Sequence, residues 1–99
     1  HIGNIKLGAI NHRHKTADIS YFIGEKSFWG KGYTSIAIKE IIKIAKKKKI
    51  KKLRAGVHEL NIGSQKVLIK NGFKIEGTLR SELIYKRKRY DALLFGAII

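Results

Sequence analysis

Between residues 18 and 57 the chain reads strand, glycine loop, helix, strand, and this order restricts the fold more than any other stretch. Ile19, Tyr21 and Ile23 recur at every second position, the period of a strand with one buried face, up to Gly24. Ala37, Ile38, Ile41, Ile42 and Ala45 then fall on one side of a helix predicted over residues 36–49. Lys39, Glu40, Lys43, Lys46 and Lys47 lie mostly on its other side. Leu53, Ala55 and Val57 restore the two-residue period. A strand reached through a crossover helix runs parallel to the strand before it, so these two strands are expected to point the same way.

Phe28-Trp29-Gly30-Lys31-Gly32-Tyr33-Thr34 joins the first of them to the helix. Glycine between a strand end and a helix start lets the backbone approach a ligand with no Cβ in the way. The unpaired N–H groups of the helix's first turn, at the positive end of its dipole, favour an anion such as a phosphate. Lys31 adds a cation. A G-x-G alone is equally a capped turn, so the downstream sequence has to decide. There, Glu59-Leu60-Asn61-Ile62-Gly63-Ser64 ends the third strand and opens a short second helix, residues 62–70, that stops before Gly72. Asn61 reads as an N-cap. Its amide and the Ser64 hydroxyl would also stand at the edge of a cleft, where the two parallel strands diverge. The two roles are compatible.

Elsewhere, Ile5, Leu7 and Ala9 alternate with Asn4, Lys6 and Gly8 in an opening strand, residues 2–10, followed by a polar connection over residues 11–16. Phe73, Ile75 and Leu79 are assigned to a fourth strand and residues 90–99 to a fifth. Residues 86–89 form the hairpin between them, without the usual Asn-Gly. A hydrophobic fraction of 43% in 99 residues describes one small globular domain rather than a disordered chain. No apolar run approaches the roughly 20 residues of a membrane span. No secretory signal pattern is present, and the absence of cysteine excludes disulfides and thiolate metal sites. These features fit a cytoplasmic protein. His1, His12, His14 and His58 lack the spacing of a metal site, and none is expected. His58 stands close to the cleft, where a proton-shuttle role is conceivable, but it reads first as a surface histidine.

The net charge of +15 would attract polyanions. The basic runs are Lys46-Lys47-Lys48-Lys49, Lys51-Lys52 and Lys86-Arg87-Lys88-Arg89. None is interleaved with aromatics as a base-stacking platform would be, and the first closes a helix, where cations suit the dipole. A solvated face therefore outweighs a dedicated surface, and neither nucleic acid nor membrane is expected as a partner.

Taken in order, these elements resemble the Gcn5-related N-acetyltransferase family, which transfers an acyl group from acyl-coenzyme A to an amine. The resemblance runs through Ala17-Asp18-Ile19-Ser20-Tyr21-Phe22-Ile23-Gly24, the glycine loop, Asn61-Ile62-Gly63-Ser64, Asn71-Gly72-Phe73-Lys74-Ile75-Glu76-Gly77-Thr78-Leu79-Arg80 and Tyr90-Asp91. It is greatest towards the branch of ribosomal-protein N-terminal acetyltransferases. It implies an α/β (α+β) fold with a mixed, mostly antiparallel sheet splayed between two parallel strands. It covers nearly all of the chain but only the C-terminal two-thirds of a family domain. Residues 1–99 are thus expected to be one acyltransferase domain without its N-terminal strands and helices. A chain that starts at His1 and contains no methionine fits that expectation. So does self-association through an exposed sheet edge.

The resemblance also implies roles. Backbone groups of Phe22, Ile23 and Gly24 would pair with the pantetheine arm of acetyl-coenzyme A. Amides of Trp29, Gly30, Lys31, Gly32, Tyr33 and Thr34 would hold its pyrophosphate, and Asn61 its pantetheine amide. Ser64 would protonate the leaving thiolate, directly or through water. Asp18 falls where some members carry a catalytic glutamate, and is a candidate base for the amine acceptor; its bland alternative is a solvent-facing strand residue. Ser27, Thr34 and Leu68 depart from the family pattern, Leu68 standing where many relatives have an acidic tyrosine. Two other readings stay open: a coenzyme A-binding module without turnover, and a basic nucleic-acid-binding α/β domain.

Overall fold

The computed structural model describes residues 4–22 and 33–99. Its elements are β1 (Asn4–Asn11), β2 (Thr16–Phe22), α1 (Tyr33–Lys47), β3 (Lys52–His58), α2 (Ile62–Lys70), β4 (Lys74–Tyr85) and β5 (Lys88–Ile98). They form a five-stranded sheet in the order β1-β2-β3-β5-β4. Only β2 and β3 run parallel, as the crossover through α1 requires. The expected mixed, mostly antiparallel α/β architecture is what forms.

One face of the sheet carries Ala17, Ile19, Leu53, Ala55, Val57, Phe95 and Ala97, all buried. Ile38, Ile41 and Ala45 of α1 and Leu68 of α2 close the same cluster, with Phe73 and Ile50 at its margins. The apolar stripe of α1 is thus spent on the sheet, and its lysines are left in water. On the opposite face Asp18, Arg54, Gly56 and Leu94 are exposed.

Three local expectations need correction. In β1 the register passes from Leu7↔Ile19 to Ile10↔Ala17, three residues against two. This bulge puts Ile10 on the core side and leaves Ala9 exposed, where plain alternation had Ala9 follow Leu7 inward. The β4–β5 turn is narrower than residues 86–89. Tyr85 pairs with Lys88, and only Lys86 and Arg87 turn, both left-handed at φ +50° and +66°. That is the backbone of a two-residue type I′ hairpin, made without glycine. Phe73 precedes β4, buried at 1% exposure. A bulge between Ile75 and Gly77 then sends Ile75 and Leu79 to opposite faces of the sheet.

Candidate functional site

The parallel ladder between β2 and β3 is short: Thr16↔Lys52, Ala17↔Leu53 and Asp18↔Arg54. Beyond it β2 continues with β1 as far as Phe22↔Asn4, while β3 continues with β5 as far as His58↔Ala92. The facing edges of β2 and β3 therefore part and leave a wedge, closed at Asp18 and Arg54 and open between Phe22 and His58. Backbone donors and acceptors along such a gap can be satisfied by an extended ligand running like an added strand.

Both helices begin at the mouth of this wedge. Tyr33 and Thr34 open α1. Ile23, Gly24, Trp29, Gly30, Lys31 and Gly32, expected to bind the coenzyme, lie outside the described residues. The turn into α2 is tied down more heavily than its sequence suggests. Asn61 N–H donates to the His58 carbonyl at 2.9 Å, and Leu60 N–H to His58 Nδ1 at 3.1 Å. Gln65 Nε2 donates to the carbonyls of His58 and Glu59 at 3.3 and 2.8 Å. Glu59 Oε1 accepts the Asp91 N–H at 2.8 Å.

Asn61 caps α2 as expected: its Oδ1 accepts the Ser64 N–H at 3.1 Å. The amide also carries two donors on Nδ2, which has no hydrogen bond among the described residues. Ser64 follows on the first turn of α2 and is 1% exposed, so its hydroxyl sits out of bulk water. The structure brings Asn61 and Ser64 together. Leu68, on the same helix, is fully buried in the core.

Asp18 stands apart from that pair, at the closed end of the wedge and on the open face of the sheet. Its Oδ1 accepts from Arg54 Nε at 2.9 Å, with both side chains half exposed. Arg54 and His58 are four positions apart on β3, about 13 Å of strand. Beside Asp18 and Arg54, Lys52 pairs with Glu76 at 2.8 Å. Glu76 projects from the β4 bulge across Gly96, whose missing Cβ admits the carboxylate. These two ion pairs, with Ile19, Gly56, Leu94 and Phe95, line an open groove of about 670 Å³. A Cβ on Gly56 would meet nothing within 4 Å, so the groove's floor is unobstructed. Of the residues lining this groove, the sequence marks only Asp18 as a candidate. Its partner lies 36 residues away and becomes visible only through the parallel register.

A further bond couples the two helices. Asn71, at the C-terminus of α2, donates from Nδ2 to Ser35 Oγ at 3.1 Å and to the Val67 carbonyl at 2.9 Å. Ser35 is in the first turn of α1 and is 8% exposed. The described residues contain no cluster of side chains that would hold a metal ion and no helix long and apolar enough to cross a membrane.

Residues 1–74 match the family described as the acetyltransferase (GNAT) domain. Among curated proteins, an uncharacterized N-acetyltransferase of Bacillus subtilis, YoaA, is 28% identical over 98 residues. That match takes in 98% of this chain and 55% of the relative, so the chain spans about half the relative's length. Among solved structures, the microcin C7 self-immunity acetyltransferase MccE, in complex with acetyl-CoA and AMP, superimposes with a TM-score of 0.81 at 28% identity. It covers 99% of this chain and 54% of that one. The ribosomal-protein-S5-alanine acetyltransferase of Vibrio fischeri shares the fold, with a TM-score of 0.84 at 24% identity over 98% of this chain and 54% of its own.

Proposed function

The chain belongs to the acetyltransferase (GNAT) domain family, and from that premise we propose that it transfers an acetyl group directly from acetyl-CoA to a primary amine. A protein N-terminus, an amino sugar and a small-molecule amine all fit as acceptors. The observation that carries the reading is the wedge between β2 and β3, with α1 and α2 both opening at its mouth. An extended, phosphate-bearing substrate needs what that arrangement offers: unpaired strand edges for its amides and a helix N-terminus for its phosphates.

In this reading the backbone of Phe22, Ile23 and Gly24 pairs with the pantetheine arm, and residues 29–34 hold the pyrophosphate. Asn61 Nδ2 donates to a pantetheine carbonyl, a bond its cap geometry leaves open. The acceptor ammonium gives up a proton, and its nitrogen attacks the thioester carbon. The carbon–sulfur bond then breaks, and the thiolate takes a proton from Ser64 or from a water that Ser64 holds. The buried position of Ser64 suits this, because a hydroxyl shielded from solvent donates into a drier site. Asp18 remains the candidate for the incoming proton. At the closed end of the wedge, with Arg54 on its carboxylate, it would act through an intervening water rather than on the same atoms as Ser64.

Calorimetry with acetyl-CoA, joined to a thiol-release assay over a panel of amines, tests the proposal. Binding should be measurable and should vanish in Gly32→Val with the fold intact. Equal affinity in the variant and the parent would remove the basis of the reading. Binding without thiol release for any amine would leave a coenzyme-holding module.

A further inference from the structure

The β1–β2 turn and the connection from α1 to β3 meet at the end of the sheet remote from the wedge mouth. Lys51 and Lys52 donate their backbone N–H groups to the Lys15 carbonyl, at 2.7 and 3.3 Å. This contact sets His12, Arg13, His14 and Lys15 beside Lys46, Lys47, Lys48, Lys49 and Lys51, all of them exposed. Residues 11–15 and 46–51 contain no Asp or Glu, and their cations form no ion pair among the described residues. Carboxylates elsewhere are already engaged: Asp18 by Arg54, Glu40 by Lys43 and Glu76 by Lys52. Glu59 and Asp91 each accept a backbone N–H. Among the described residues Glu82 alone has no such partner, and it lies in β4, at the opposite edge of the sheet from the β1–β2 turn.

Its backbone is also unusual. Lys15 and Lys49 are left-handed, at φ +57° and +63°, positions that glycine or asparagine fills more easily. Lysine in both suggests that charge outweighs local backbone preference there. Ile50, buried at 3% exposure, anchors the second turn and holds its neighbours outward. The sequence alone weighs the lysine run as the solvated end of one helix. Folding doubles it with a second basic turn about 30 residues upstream.

We infer that this pole docks on the phosphate backbone of double-helical nucleic acid, independently of base sequence. A duplex offers the dense, regular negative charge that such a surface can neutralise through counterion release. Neither segment carries Phe, Tyr or Trp, so single-stranded bases find no stacking platform. Neither carries an exposed apolar side chain that would enter a lipid interface. The surface is also separate from the proposed coenzyme site, since the 15 residues of α1 span about 22 Å between them.

The test is fluorescence anisotropy on the purified chain with short RNA and DNA duplexes, the corresponding single strands, phosphatidylserine vesicles and polyglutamate. Two variants remove the same charge: Lys46→Gln, Lys47→Gln, Lys48→Gln and Lys51→Gln at the pole, and Lys66→Gln, Lys70→Gln, Lys86→Gln and Lys88→Gln away from it. Both should remain folded, because all the altered side chains are exposed, with only a small fall in melting temperature where Lys46, Lys47 and Lys70 leave the last turns of their helices. Both kinds of duplex should bind the parent more tightly than the other probes. The pole variant should lose at least about tenfold in affinity, with the salt slope falling by about 0.9 for each phosphate contact removed. The remote variant should stay within a few-fold of the parent. Equal losses in the two variants would reduce the effect to net charge. Single strands, vesicles or polyglutamate binding as tightly as the duplexes would also overturn the inference.

Discussion

Asn61 and Ser64 are joined by one hydrogen bond, yet the proposed chemistry asks different things of them. Asn61→Asp keeps a cap acceptor for the Ser64 N–H but replaces the Nδ2 donor with a second carboxylate oxygen. Thermal stability should therefore hold while acetyl-CoA affinity falls about tenfold or more in calorimetry, the scale of one lost hydrogen bond with added like charge. Ser64→Ala should leave affinity within a few-fold and slow transfer by roughly 10²-fold, the usual effect of losing a positioned proton donor. A fully active Ser64→Ala enzyme would assign the proton to water or another residue. The cap at Asn61 was legible in the sequence because capping is local, decided within four residues. The Asp18–Arg54 and Lys52–Glu76 pairs were not, because each joins residues brought together only by strand register. Glu76 needed two further facts, a bulge in β4 and a glycine opposite it in β5, neither of which alternation records.

Among the elements, α1 and α2 are coupled through Asn71, whose amide reaches the first turn of α1 at Ser35. Removing it leaves the Ser35 hydroxyl short of a donor in a partly buried setting, while the Val67 carbonyl keeps the backbone N–H of residue 71 at 3.1 Å. Asn71→Ala should cost about 1–3 kcal/mol in denaturant unfolding. It should also weaken acetyl-CoA binding by releasing the start of α1, although Asn71 is not proposed to touch the ligand. Stability lost with affinity unchanged would confine Asn71 to packing. The order and type of the elements could be read from periodicity, and α2 falls on residues 62–70 as expected. What periodicity missed were places where a strand gains a residue, as at Leu7 to Ile10, and the turn at Lys86 and Arg87. Left-handed lysine and arginine carry no turn signature of the kind Asn-Gly provides.

At the scale of the molecule, β1 and β4 are the sheet's two edges among the described residues. β4 is interrupted by bulges and carries Glu76, Arg80 and Glu82, features that discourage pairing with another chain. β1 has Lys6 as its single charged residue and no proline, so it is the edge expected to associate. The net charge of +15 opposes that contact, so light scattering should show self-association that grows with added salt. Ala9→Lys, at an exposed position of β1, should suppress it. A monomer at every ionic strength would discard this edge as an interface. The short ladder between β2 and β3 has a consequence for motion as well. Three residue pairs join a two-stranded arm, β1–β2, to a three-stranded block, β3–β5–β4. Sub-global opening should follow that seam, because fewer backbone bonds break there than within either part. Amide hydrogen exchange should accordingly release β1–β2 as one cooperative unit before the block. Acetyl-CoA lying along the seam would slow exchange in the arm, and uniform exchange across all five strands would show that α1 clasps the two parts into a single unit.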